Sequence, residues 1–437
     1  MPRSKKSDVS HQRELPLQQD MHTDREWFET ELLSRFTRYA RVFTTSDRHS
    51  DTVPSADREL ELTRMLETEL KELGVEEVEL TDEGYLLAAI PANAAGAEDA
   101  TPIGFMAHVD TSPDSNGENV EPQLHRSYNG GVLQLAGGVV LDPAAHPELK
   151  RYHGETIITS DGTTLLGADD KAGIAEIMTA ISYMREHPEY PHGPLELIFT
   201  PDEEIGRGMD YLPAQRLRSR YCYTIDGGDE GAVEAECFNA YLVSVEFSGH
   251  VAHPGKARGT LVNANTMLGA FLSMIPRSET PEATDGRYGF YCPLESSADM
   301  GSAHLDLIVR DFEMEELERR IEALREFARA VEVSFPGGTV TVEAREQYRN
   351  MRDILNEHPD TVRRARRAIE ETGIESRLES IRGGTDGSRL TQMGIPTPNV
   401  FTGAQNMHGR NEWIALPAMV RAAKTIVNLA VFWSGAG

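Results

Sequence analysis

Apolar residues recur at helical spacing early in the chain, with Phe28, Leu32, Phe36 and Tyr39 on one face. A second stripe, Leu62, Leu66, Leu70 and Leu73, ends at Gly74, a residue suited to closing a helix. Unbroken apolar runs of strand length follow at 103–107 (IGFMA), 195–200 (LELIFT) and 221–225 (YCYTI). Between the first two, Ile174, Ile177, Met178 and Ile181 mark the core-facing side of a helix over 172–184. Short buried strands alternating with helices predict an α/β fold, a mixed and mostly parallel sheet flanked by helices.

The pattern changes near residue 240. YLVSVEF (241–247) and HLDLIVR (304–310) alternate apolar and polar positions, as half-buried strands do, and GTVTVEA (338–344) does the same. Helical stretches lie between them, at 262–274 and along Met314, Leu317, Ile321, Leu324, Ala328 and Val331. This β-α-β-α-β order predicts an inserted α+β unit of ferredoxin-like type over 239–349. It would interrupt one larger domain made of 24–238 and 350–437, which ends in a helix over 415–433. Residues 1–23 are polar and lack an apolar stretch, and so are expected to form a flexible tail rather than a secretory signal.

Composition narrows the functional classes. The chain of 437 residues carries a net charge of -28, which argues against nucleic-acid binding. That charge is either a solvated acidic surface or an adaptation to high salt. No apolar run nears the roughly 20 residues that span a bilayer, so no membrane association is expected. The three cysteines, Cys222, Cys237 and Cys292, match no metal or redox spacing. A reducing compartment, the cytoplasm, is therefore expected, and any metal site must use His, Asp and Glu.

Several clusters of such residues sit near strand ends, where open α/β sheets build their sites. His108 and Asp110 follow the first buried run; an isolated pair of this spacing is more often an exposed surface pair than a metal ligand with its support. GADDKAG (167–173) places two acids at a helix start, where they either cap the helix or bridge cations. TPDEEIG (200–206) stacks three acids after the second run, costly at a buried strand end without a cation. Asp226 in TIDGG is a turn residue or a ligand, and His408 in NMHG is a loop histidine. Each is modest alone. Together, two histidines and several carboxylates without thiolate suit two zinc ions sharing one carboxylate.

HVDTSPD, TLLGADDKAGIAEIMTA, FTPDEEIG, TIDGG, HPGKARG, VRDFE, IRGGTDG and NMHGRNEW, in that order from about residue 27 onward, closely resemble the peptidase T family of tripeptide aminopeptidases. That family belongs with the co-catalytic zinc exopeptidases, among them carnosinases. The resemblance implies removal of the N-terminal residue from short peptides, mainly tripeptides; a dipeptidase or N-acyl amino acid deacylase with the same site is the alternative. It implies His108, Asp169, Glu204, Asp226 and His408 as ligands of two zinc ions, with cobalt or manganese as substitutes and Asp169 as the bridge. The Asp169–Asp170 peptide is cis in similar enzymes. Asp110 would orient His108, and Glu203 would act as general base. His253, Arg310 and Arg382 would contact substrate, His253 from the partner subunit of a homodimer formed through the insert, which would serve as lid and dimerisation domain. One position departs from the pattern: Asn411 stands where a further histidine is expected, which bears on substrate preference and not on ligation.

Overall fold

A computed structural model describes residues 24–93 and 96–435; the expected tail over 1–23 lies outside them. Helices α1 (Arg25–Ala40) and α2 (Glu59–Glu72) bury the two stripes read from the sequence. Gly74 follows α2 at φ 77°, the left-handed conformation that closes a helix at low cost. Strands β1 (Glu77–Leu80), β2 (Leu86–Ile90) and β3 (Ile103–His108) come next. Short pieces β4 (Gln123–His125), β5 (Leu133–Gln134), β6 (Val140–Leu141) and β7 (Ile157–Thr159) precede helix α3 (Ala168–Glu186). Then come β8 (Leu195–Thr200), β9 (Tyr221–Gly227) and β10 (Ala232–Cys237).

The insert contains β11 (Asn239–Ser248), α4 (Ala264–Met274), β12 (Phe290–Ala298), β13 (Ser302–Asp311), α5 (Met314–Ser334) and β14 (Thr339–Tyr348). The chain returns through α6 (Arg352–Glu357), α7 (Pro359–Glu370), β15 (Arg377–Ile381), α8 (Asp386–Gln392), β16 (Asn399–Phe401), β17 (Trp413–Ala415) and α9 (Leu416–Trp433).

The main sheet runs β1-β2-β8-β3-β9-β16-β10-β15. Its centre is parallel, β8 with β3, β3 with β9 and β9 with β16, while β1, β2 and the β16–β10 pair add antiparallel contacts. Every residue of β3 and β8 is buried, because helices cover both faces. One face packs α1, α3 and α9 into the largest core, which includes Phe28, Ile174, Ile181, Met419 and Ile426. The other face packs Met106, Ile198 and Cys222 against Met209 and Leu390. Because β8, β3 and β9 are parallel neighbours, their carboxyl ends lie side by side, and the acidic loops that follow them converge.

The insert's antiparallel sheet has the order β12-β13-β11-β14 and its own core, with Val243, Val245, Phe247, Leu305, Leu307 and Val309 packed against α4 and α5. The connectivity β-α-β-β-α-β is ferredoxin-like and has one strand more than the sequence pattern indicates. The added strand, β12, is an edge strand carrying Pro293 and a register break between Pro293 and Glu295. Only Phe290 and Tyr291 of it are buried, so it shows no alternation. Residues 164–166 (TLL), which read as strand-like ahead of α3 from sequence, are not a strand. They form a loop, because the amides of Leu166 and Gly167 bond the Glu412 carboxylate instead of a neighbouring strand.

Candidate active site

The first element is β3, which carries His108 to its last position, 2% exposed. Its Nδ1 faces Asp110, 3.0 Å from the carbonyl oxygen and 3.3 Å from Oδ1. Its Nε2 therefore points into the site, 2.9 Å from Asp169 Oδ1 and 3.7 Å from Asp226 Oδ1. Asp226 arrives on the adjacent strand β9.

The second element is the turn after β8. Asp202 takes φ 59°, and Glu203–Ile205 form one 3-10 turn. The Asp110 carboxylate fixes that turn, accepting the amide of Glu203 on Oδ1 at 3.0 Å and that of Glu204 on Oδ2 at 3.1 Å. One buried aspartate thus couples the loop after β3 to the loop after β8.

The third element is the start of α3. The peptide bond between Asp169 and Asp170 is cis. Three amides, of Leu166, Gly167 and Asp169, donate to the buried Glu412 carboxylate. Asp170 accepts from the His108 amide on Oδ2 at 3.2 Å and from the Gly173 amide on Oδ1 at 3.2 Å. Asp169 is left facing inward. The fourth element is the loop of His408, whose Nε2 lies 2.9 Å from Glu204 Oε2 and 3.3 Å from Asp169 Oδ2.

All five residues expected as ligands thus meet in one cluster. Asp169 Oδ1 faces His108, which also approaches Asp226, while Asp169 Oδ2 faces His408, which also approaches Glu204. Within the cluster, His108, Asp169 and Glu204 form one compact group of donor atoms. A second group joins His108 and Asp226 with Asp170.

The electrostatics of this donor set call for cations. Burial pushes the Glu203, Asp170 and Asp226 carboxyls well above the carboxylate range, and Glu204 up to about 7. Burial also pushes Asp386 to about 6. For His408, burial works the other way, yet hydrogen bonds to Asp169 and Glu204 raise it to about 11. His108 is likewise raised, its bonds to Asp110 and Asp169 overcoming burial. Glu204 Oε1 is buried without a protein partner, an acceptor that a cation would satisfy. The oxygen and nitrogen donors, with no thiolate, fit zinc and its divalent relatives.

The expected substrate residues make contacts of their own. Arg310 is the penultimate residue of β13 and stacks on Tyr348, its Cζ 5.3 Å from the ring centroid. The Arg310 Nε and the Tyr348 hydroxyl are both buried without a partner. Arg382 is engaged by the insert, donating to Thr284 O at 2.6 Å, Thr284 Oγ1 at 2.7 Å and Tyr288 O at 2.9 Å. His253 is exposed on the insert, its Nδ1 accepting the Gly255 amide at 3.1 Å. The residues that sequence reasoning passed over are supports: Glu412, Asp170, Asp114 and Asp386, the last accepting from Thr200 Oγ1 at 2.6 Å. The available signal was their position within the acidic motifs. Nothing in the motifs separates a support from a ligand.

A mostly parallel α/β sheet with a ferredoxin-like insert and a carboxylate-centred candidate metal cluster suits the hydrolase class. The chain belongs to the peptidase family M20/M25/M40, whose model matches residues 160–431, and is a hydrolase. Within that family it is similar to peptidase T of Clostridium perfringens strain 13, 44% identical over 395 residues covering 90% of this chain and 97% of that one. Peptidase T of Geobacillus kaustophilus is 45% identical over 401 residues, covering 91% and 97%. In fold, the crystal structure of aminopeptidase PepT from Bacillus cereus matches with a TM-score of 0.71 at 24% identity, covering 93% of this chain and 98% of that one.

Proposed function

We propose that the chain is a tripeptide aminopeptidase that holds two zinc ions in the Asp169-centred cluster. The similarity to peptidase T supports the substrate. The observation that carries the chemistry is the division of the Asp169 carboxylate, one oxygen toward His108 and the other toward His408 and Glu204. His108 and Asp226 would hold one ion, Glu204 and His408 the other, with Asp169 between them. Cobalt or manganese would fit the same donors. When bound, two such ions supply Lewis-acid polarisation of the scissile carbonyl and a nucleophile at neutral pH.

The chain's own groups do the rest. Glu203, fixed through its backbone to Asp110, would take a proton from the attacking water and deliver it to the leaving amine. Burial raises its carboxyl above the usual carboxylate range, the direction that makes a carboxylate a stronger proton acceptor. Asp110 would keep His108 in the tautomer that turns Nε2 inward. Arg310, with an unpaired buried Nε, would hold the substrate carboxylate. Arg382 already donates to Thr284 and Tyr288, so its effect on substrate would pass through the insert. His253 would reach the site of a partner subunit and stabilise the developing oxyanion.

We read 24–238 with 350–437 as the catalytic domain and 239–349 as the lid and dimerisation domain of a homodimer. Their separate cores support the division. A cytoplasmic location is supported by three free thiols.

Hydrolysis of a tripeptide, its N-acetyl derivative and a dipeptide, compared side by side, tests the reading. Cleavage of the free tripeptide with release of its N-terminal residue is expected. Cleavage of the acylated compound alone would make the enzyme a deacylase, and preference for the dipeptide would make it a dipeptidase.

A further inference from the structure

Both histidines of the cluster present Nε2 to the carboxylates, so each Nδ1 faces outward and requires a partner of its own. For His108 that partner is Asp110, buried at a strand end. His408 is placed differently. It lies in a loop, takes φ 64°, and its side chain is 40% exposed. Packing does not fix such a ring.

Three contacts do so instead. His408 Nδ1 lies 3.3 Å from Asp114 Oδ2. The other oxygen, Asp114 Oδ1, accepts from Arg48 Nη2 at 2.8 Å. The next residue, Ser115, donates its hydroxyl to the His408 carbonyl at 2.5 Å. Two consecutive residues thus hold the same histidine by ring and by backbone, and Arg48 holds the first of them.

We propose that Asp114, braced by Arg48, is a positioning residue that orients His408 and sets the affinity of the metal position shared with Glu204. The proposal rests on the two-ion reading of the site. Its logic is geometric. Accepting the proton of Nδ1 leaves the lone pair on Nε2, directed at Glu204 and Asp169. Without that partner the ring rotates freely and the imidazole loses its preferred tautomer. The exposed Arg48–Asp114 pair contributes little stability by itself. Its value is the orientation it imposes. Loss of such a partner typically weakens metal binding by about 10–100-fold. His108 has no contact with Asp114, so the effect is confined to one of the two ions.

The experiment is zinc titration of the metal-stripped full chain against a competing chelator, for wild type, Asp114→Ala, Asp114→Asn and Arg48→Ala. Wild type is expected to bind two ions. Asp114→Ala should leave the affinity of one ion unchanged and weaken the other about 10–100-fold. Asp114→Asn, which keeps an acceptor oxygen, should recover part of that loss, and Arg48→Ala should weaken the same ion less. Unfolding of the metal-free variants should match wild type. Two ions of unchanged affinity in Asp114→Ala would overturn the proposal, as would equal weakening of both. Fewer than two ions in wild type would overturn the two-ion reading beneath it.

Discussion

His108 and His408 offer the same atom to the same carboxylate from opposite sides, and the protein secures them by opposite means. His108 ends a strand buried at every position, with side-chain exposure of 2%. Its neighbours Asp110 and Asp170 are 0% exposed, and its orientation is a by-product of the sheet. His408 is 40% exposed and depends on hydrogen bonds from a loop almost 300 residues away in sequence. The Asp169 carboxylate thus joins a half built into the core to a half assembled at the surface. The first half should be tied to folding and the second to exchange of metal and substrate.

The largest expected effect comes from removing what the two halves share. Asp169→Ala should release both ions and lower kcat/KM by about 10⁴-fold or more, since each loses a charged ligand. Metal analysis beside the tripeptide assay checks it, and retention of two ions would show that the halves are independent.

Glu203→Ala should separate chemistry from ligation. Turnover should fall by about 10²–10⁴-fold while both ions remain, measured by single-turnover kinetics and metal content on one preparation. Full activity would remove the base assignment.

The halves should differ in stability once metal is removed. His108→Ala breaks a buried set of ion pairs and should cost about 3–5 kcal/mol in denaturant unfolding of the stripped protein. His408→Ala should cost about 1 kcal/mol or less, because its site is open to water. Equal costs would erase the distinction between a core half and a surface half.

A smaller effect isolates the burial argument from metal altogether. Glu234 is buried in the sheet, bonded to Asn399 Nδ2 at 3.1 Å, and burial pushes its carboxyl from 4.5 up to about 7. A raised carboxyl means that the folded state holds a proton the unfolded state releases. Stability from this group is therefore intact below about pH 4.5 and is lost as pH rises through about 7. The loss is about 3 kcal/mol as an upper bound. Glu234→Gln should remove this component, seen as a variant-minus-wild-type difference that grows from pH 5 to 8. A flat difference would contradict it.

The contrast between the two halves also explains what was legible in the sequence. His108, Glu204 and Asp226 follow apolar runs at 103–107, 195–200 and 221–225, so strand periodicity pointed to their convergence. His408 lies in a loop with no long apolar run before it, so the sequence offered it only as a loop histidine that completes the donor set, and the family resemblance gave it a role. The supports were hidden for a physical reason. Glu412 acts by accepting three backbone amides, and Asp114 by meeting a ring from a distant loop, contacts that leave no periodic trace. In the fold, β12 was missed because an edge strand with exposed polar residues and a proline lacks alternation. The metal cluster was more legible than its supports because ligands must be acids or histidines at strand ends, whereas a support can be any polar residue within reach.

Tripeptide hydrolysis measured while zinc is returned stepwise to the stripped full chain tests the Asp169-bridged pair most directly. Two ions bound per chain, with turnover rising only as the second position fills, is the predicted result. Full turnover with one ion bound, or with none, would contradict the Asp169-bridged pair.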